Sequence, residues 1–417
     1  MTIFGGIGAA LSNRNYCIYW AGNGFNTVGR WMYRIAVGWL AWELTESTSW
    51  LGIVAFVETF PMVIFSILAG AIADRTGYLR ITILSQIATV VVAAIFAGVT
   101  LAGGITIELV VLFAFLIGSL EALTTPARMA IVHALVPKDH LASAIALNSA
   151  TFNVARFLGP MIAGGLLTVV STGAVLAIVA ASFTQFCIVL LRVRTNEPVR
   201  TPGPLRNFFR DIWSGMRYGL GHPGIRFLLI MLGATGFLVR PVIELMPGFS
   251  AQVFDRGPEG LSILMSSLGI GATVGGLWLA RRGRTGGLTT IVTYGLLVQG
   301  LALVLAAYAG SIWLAAAFLG GVGFAIVLGG IGSQTLIQNT VDSQMRARVM
   351  SLFIVISWGL PAVGALLGGW VASFIGLPAT FAIGAAATVL LWLWARPHGR
   401  TLGPELEQSD SPGSDKT

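Results

Sequence analysis

Long unbroken apolar runs, bounded by charged residues or by Gly and Pro, recur from residue 16 to residue 395 and constrain this chain more than any other feature. A bilayer core about 30 Å thick takes about 20 apolar residues in helical form. The runs meet that requirement at roughly 16–42, 50–73, 81–102, 107–128, 142–169, 173–191, 224–247, 261–280, 288–308, 311–337, 347–374 and 377–395. They lack the alternating segments of about ten residues that mark a transmembrane β-barrel. The expected fold is therefore an all-α polytopic membrane protein with twelve transmembrane helices. Composition excludes the alternatives. Only 10% of the 417 residues are charged and the mean hydropathy is +0.83, whereas soluble domains carry about 25% charge. Neither a water-soluble enzyme nor a disordered chain fits.

The first fifteen residues are mixed in character, and the first long run reads as a span that stays, not as a cleaved leader. Cys17 and Cys187 lie far apart in or beside apolar runs, which supports neither a disulfide framework nor a metal site, and no cofactor is expected.

Positive charge sets the expected topology, because cytoplasmic loops are enriched in Lys and Arg. With the N-terminus inside, twenty of the 25 basic residues fall on the cytoplasmic side, Arg128 among them; Arg256 alone falls outside, and Arg30, Arg34, Arg156 and Arg240 fall within spans. An even number of spans then places both termini in the cytoplasm of a multi-pass protein of the inner (plasma) membrane. The net charge of +8 thus follows from topology and does not argue for a nucleic-acid partner.

The organisation reads as an N-terminal six-helix bundle over 1–191, a basic cytoplasmic linker over 192–223, a C-terminal six-helix bundle over 224–395 and a disordered acidic tail over 396–417. Within the linker, the mildly amphipathic stretch Trp213 to Leu220 suits the membrane interface. At an offset of 205, Gly118, Val136, Leu147, Gly159 and Gly164 align with Gly323, Val341, Leu352, Gly364 and Gly369. That correspondence points to two pseudo-symmetric halves, as in secondary transporters.

After the second span stands Gly70-Ala-Ile-Ala-Asp74-Arg75-Thr-Gly77-Tyr-Leu-Arg80. It resembles the loop signature of the major facilitator superfamily, and the resemblance implies a gating loop formed by Gly70, Asp74, Arg75, Gly77 and Arg80. Thr125-Pro-Ala-Arg128, Val136-Pro-Lys-Asp139, Ala146-Leu-Asn148-Ser and Asn153-Val-Ala-Arg156-Phe-Leu-Gly159-Pro160 resemble the branch that includes the enterobactin exporter and macrolide-efflux permeases, as do Gln334, Gln338 and Arg346-Ala-Arg348-Val-Met-Ser351. Gly159 and Pro160, followed by Gly164-Gly165, resemble the helix-kink motif of exporters, with three residues between Pro and the Gly pair where the family has two. Two further departures stand out. Gly275 to Arg284, the second-half counterpart of the gating loop, has no acid, and the fourth span lacks the superfamily's Arg between Leu112 and Gly118.

Ionisable residues at mid-bilayer are costly and normally line cavities or pair. Asn23, Asn26, Arg30 and Arg34 recur at spacings of three and four along the first span, which places them on one helical face. With Asn153, Arg156, Arg240, Gln334 and Gln338 they are the expected substrate cavity. Depth matching suggests that Arg34 or Arg30 pairs with Glu58, as a structural staple or as part of the function, and Arg240 and Glu244 lie one turn apart, where they can pair along the helix. Proton coupling requires a group whose protonation can change, and no histidine falls in a span, so the candidates are Glu121, Glu58 and Glu244. Glu121 is preferred, because only Arg128 accompanies it on its helix.

No HExxH or GxSxG motif or paired cysteine occurs at a membrane edge, and no GxxxxGK[ST] motif is present, so enzymatic and ATP-driven functions are not expected. The expected function is a monomeric secondary exporter, an antiporter of a small drug- or siderophore-like molecule against protons. Four span arginines facing three glutamates hint at an acidic substrate. An importer, uniporter or lipid flippase of the same fold remains open, as does, from another class, a non-transporting membrane receptor.

Overall fold

The computed structural model describes residues 11–195, 208–342 and 344–407; within these, the side chains of 66–75, 138, 157, 208–213 and 347 lie outside the described residues. Every regular element among the described residues is a helix. The first six are α1 (Arg14–Thr45), α2 (Thr48–Thr76), α3 (Tyr78–Leu101), α4 (Ile107–Leu135), α5 (Lys138–Leu167) and α6 (Thr172–Arg192). There follow α7 (Phe208–Gly221), α8 (Pro223–Leu238), the single turn α9 (Pro241–Glu244), α10 (Met246–Phe254) and α11 (Pro258–Arg282). The last are α12 (Leu288–Ala307), α13 (Ile312–Thr340), α14 (Arg346–Ile375) and α15 (Leu377–Glu407). Ten stretches among the described residues are long and apolar enough to cross a membrane. Helices α1 and α5 are as long, at 32 and 30 residues, and fall outside that group because their apolar surface is interrupted by polar stripes.

Capping fixes several helix starts. Asn13 accepts from the N–H groups of Asn15 and Tyr16 ahead of α1, Ser171 from Ala174 ahead of α6, and Ser311 from Leu314 ahead of α13. Each cap satisfies donors that have no partner inside the helix.

By packing, the chain forms two compact units. One gathers α1 to α6 with residues Glu244–Ser266; the other gathers α7, α8, α11 from Ser267 onward and α12 to α15. In the first unit, Tyr16, Tyr19, Ile131, Val132, Phe186 and Leu190 form a buried cluster. In the second, Ile225, Leu228, Val292, Leu336, Val349 and Leu406 do the same.

Both units use glycine to bring backbones together. A Cβ on Gly118 of α4 would strike the backbone carbonyl of Glu58 on α2, and one on Gly323 of α13 would strike that of Leu268 on α11. Likewise Gly159 of α5 sits on the Val28 carbonyl and Trp31 of α1, and Gly364 of α14 on the Phe237 carbonyl of α8. The pairs related by the offset of 205 therefore do the same packing work in each unit, consistent with the small-residue contacts that membrane helices favour.

Two sequence expectations change. The run at 224–247 is not one helix: α8 stops at Leu238, and Pro241 and Pro247, which lack an N–H, hold the single turn α9 apart from α10. The tail expected from 396 instead continues α15 to Glu407, which accepts from the N–H groups of Gly287 and Thr289 at the start of α12. That end of α15 is anchored further by Leu406, fully buried against Gly224, and by Glu405, whose carboxylate lies 3.6 Å from the His222 ring. Residues 408–417 lie outside the described residues. The amphipathic stretch within 192–223 belongs to α7, where Tyr218 donates a hydrogen bond of 2.9 Å to Asp342 and Gly215 packs on Arg348. Burial and the Asp342 carboxylate push the Tyr218 hydroxyl pKa above its usual value.

Candidate functional site: two charge clusters within the first unit

The charged face of α1 is the organising element. Because α4 touches the turn of α2 that carries Glu58, Glu121, one turn past Gly118, arrives beside α1. Arg30 meets Glu121 at 2.5 Å, with side chains 31% and 24% exposed. The same carboxylate oxygen accepts from Arg128 and, at 2.8 Å, from Thr125. Glu121 is thus held by two guanidiniums and a hydroxyl, a cluster with one surplus positive charge.

One turn along α1, the balance reverses. Arg34 hydrogen-bonds Glu244 and stands 3.9 Å from Glu58. The three side chains are 17–22% exposed. Here one guanidinium serves two carboxylates, a cluster with one surplus negative charge. Tyr33 lies beside it, 3% exposed, with no hydrogen-bond partner for its hydroxyl among the described residues.

Between Arg30 and Arg34, Trp31 receives two cations. The Arg34 and Arg156 guanidinium carbons lie 5.6 and 5.5 Å from its ring centroid, within cation–π range. Phe152 adds an edge contact at 5.9 Å. Sequence reasoning passed over Trp31, Phe152 and Tyr33; their spacing among charged residues on α1 and α5 was the available signal. Arg128, expected at the cytoplasmic end of the helix it shares with Glu121, is only 11% exposed and joins the Glu121 cluster, in a helix that continues to Leu135.

The remaining candidates have other surroundings. Asn26 is 1% exposed and accepts from Gln86 of α3 at 3.3 Å, so it faces into the helix bundle. The Asn23 carbonyl accepts from Thr27 at 2.6 Å. Asn153 is exposed and donates to the Ser149 carbonyl one turn back. In the second unit, Gln334 and Gln338 are exposed on α13, while Arg240 donates to the Ser357 carbonyl at 3.2 Å. Because α8 stops at Leu238, Arg240 and Glu244 do not stand one turn apart on an unbroken helix, as their pairing along the helix required. Pro160 is buried inside α5. In the gating loop, Gly77 caps α3 at φ +86°, a conformation that favours glycine, and Arg80 is exposed; the side chains of Gly70, Asp74 and Arg75 lie outside the described residues.

A sequence model described as a transmembrane secretion effector matches residues 6–415. The chain belongs to that family of the major facilitator superfamily. Among curated relatives it is 28% identical to the staphyloferrin A transporter of Staphylococcus aureus, over 92% of this chain and 96% of the relative. It is 27% identical to the multidrug efflux pump Tap of Mycolicibacterium fortuitum, over 87% and 88%. It is 23% identical to macrolide efflux protein A of Streptococcus pyogenes, over 69% and 71%. The nucleoside transporter NupG superposes with a TM-score of 0.73 at 14% identity, covering 92% of this chain and 98% of the other. A bacterial homologue of the lysosomal transporter Spinster gives 0.70 at 16%, covering 96% and 98%. At such identities these two structures speak to the fold alone. The protein is a multi-pass inner-membrane transporter of the major facilitator type, with efflux and siderophore transporters among its relatives.

Proposed function

We propose that the chain is a secondary active exporter that moves a small drug- or siderophore-like organic molecule out of the cell by alternating access, in exchange for protons. Its architecture in this reading is twelve spans, the ten apolar ones plus α1 and α5, with both termini cytoplasmic and two six-helix halves. The observation that carries the reading is the pair of charge clusters on α1, one surplus positive and one surplus negative. Charge inside a span is expensive, and a pure staple would balance it within each cluster.

A carboxylate-bearing substrate complements the Arg30–Glu121–Arg128 cluster, and the Trp31 and Phe152 rings beside Arg156 offer it an aromatic contact. The kinship with the staphyloferrin A transporter and with drug pumps supports that substrate class. The Gly70–Arg80 loop acts as the gate. The test is growth of a deletion strain with and without the gene on a panel of toxic compounds, together with assay of the medium for secreted siderophore. Complementation should raise resistance or secretion. Enhanced uptake with no efflux phenotype would reverse the assigned direction.

A further inference from the structure

The two clusters differ in what they lack. Glu121 already has two guanidiniums and the Thr125 hydroxyl on one oxygen, so its ionised form is oversupplied with donors. Glu58 and Glu244 share Arg34, and the shares are unequal. Glu244 takes a hydrogen bond from Arg34. Glu58 stays at 3.9 Å, beyond hydrogen-bonding distance. Two carboxylates at one site do not both ionise readily, and the less well held of the two keeps the proton.

Among the described residues, the surroundings of Glu58 supply nothing else to neutralise it. From α1 it faces Arg34, Arg30 and Tyr33; from α4, Glu121; and from the turn after α8, Glu244. Arg30 is already committed to Glu121. Helix α3 brings no ionisable side chain beyond Tyr78 and Arg80 at its first turn. An independent observation points to the same place. The buried Tyr33 hydroxyl has no hydrogen-bond partner among the described residues, although it lies close enough to Glu58 to interact electrostatically.

We propose that Glu58 carries the exchangeable proton, held against the Arg34–Glu244 pair, while Glu121, tied to two arginines and the Thr125 hydroxyl, is not the coupling carboxylate. This assignment rests on the proton-exchange reading above and names its group. The step is a simple transfer: the Glu58 carboxylate takes a proton from water on one side of the membrane and returns it to water on the other, with no change of oxidation state. Its mechanical effect follows from the sharing of Arg34. With Glu58 neutral, Arg34 belongs to Glu244 alone and the tie from α1 to the segment Glu244–Ser266 is tight. With Glu58 ionised, Arg34 is divided between two carboxylates and the tie loosens.

Infrared difference spectroscopy tests this on the full-length transporter in lipid nanodiscs, with glutamate carboxyls labelled with carbon-13. Near neutral pH, wild type and Glu121→Gln should show a protonated carboxyl stretch that shifts with the label, and Glu58→Gln should lose it. Glu58→Asp serves where Glu58→Gln does not fold, because its aspartate is unlabelled and the shifted band should vanish as well. Absence of the band from wild type, or its loss in Glu121→Gln with retention in Glu58→Gln, overturns the assignment. Proteoliposomes with an imposed pH gradient, loaded with ethidium or erythromycin, separate the two readings. Proton-driven efflux that survives Glu58→Gln undiminished defeats the assignment and leaves the exporter standing. A wild type that moves neither compound, while the band behaves as stated, counts against the exporter and leaves the proton on Glu58.

Discussion

The first and second units share a packing plan and differ in chemistry. Where Gly118 rests on the carbonyl of Glu58, Gly323 rests on the carbonyl of Leu268. One backbone contact thus carries a carboxylate in the first unit and a buried leucine in the second. Counting three residues on from the carbonyls under Gly159 and Gly364 gives Trp31, which meets two arginines, and Arg240, which meets a backbone carbonyl. Close helix approach is what each unit needs to fold, and the glycines that allow it stand in register. Buried charge is expensive and serves only where it acts, so among the described residues it is concentrated in the first unit.

The largest expected effect tests the shared half of that comparison. Gly118→Leu and Gly323→Leu each drive a side chain into a backbone carbonyl that cannot give way. Overpacking costs about 1–3 kcal/mol where neighbours can shift, and more where they cannot. Both variants should lower the yield of monodisperse protein about tenfold or more, read by fluorescence-detected size exclusion. Tolerance in one unit alone would break the equivalence of the two contacts.

The next effect tests the difference. Glu121→Gln leaves Arg30 and Arg128 facing each other without their carboxylate. Breaking a fully buried pair costs about 3–5 kcal/mol, and partial exposure of these side chains reduces that to about 2 kcal/mol. Arg240→Gln in the second unit gives up, among its contacts, a part-buried charged bond to the Ser357 carbonyl, worth about 1.5 kcal/mol. Thermal unfolding in detergent should rank the first variant below the second, and equal losses would mean that the charge asymmetry has no energetic weight.

Much of this was legible in the sequence, and the exceptions have physical causes. Apolar run length located the helices because the bilayer fixes it. The three- and four-residue spacing along α1 showed that Arg30 and Arg34 share a face, because helical geometry is local. The second partner of Arg34 was not legible in the same way. Matching depths led to Glu58, which does stand 3.9 Å from Arg34, whereas the break between Pro241 and Pro247 adds Glu244. The preference for Glu121 as the proton carrier counted charges on its own helix, and Arg30 reaches it from another. The end of α15 was read as a tail because its composition is polar, but its order comes from what Leu406 and Glu407 touch some 120 residues or more away in the chain.

The smallest expected effect follows from that contact and sharpens the comparison further. Among the described helices, α12 starts at Gly287 with no side-chain cap of its own, and Glu407 supplies one from a distance. Glu407→Gln should cost about 1 kcal/mol, as loss of a helix cap does. The unfolding midpoint should fall by a few degrees, and an unchanged midpoint would show that the start of α12 holds without it.

The same carboxylate ties the folding of α12 to the order of synthesis. Its capping group lies 120 residues downstream of the amide it caps. At about 5–20 residues per second of translation, the start of α12 exists for about 6–24 s before Glu407 is made. A nascent chain halted in that interval would present the start of this helix as an open end, accessible to the insertion and quality-control machinery, until the last turn of α15 emerges and closes it.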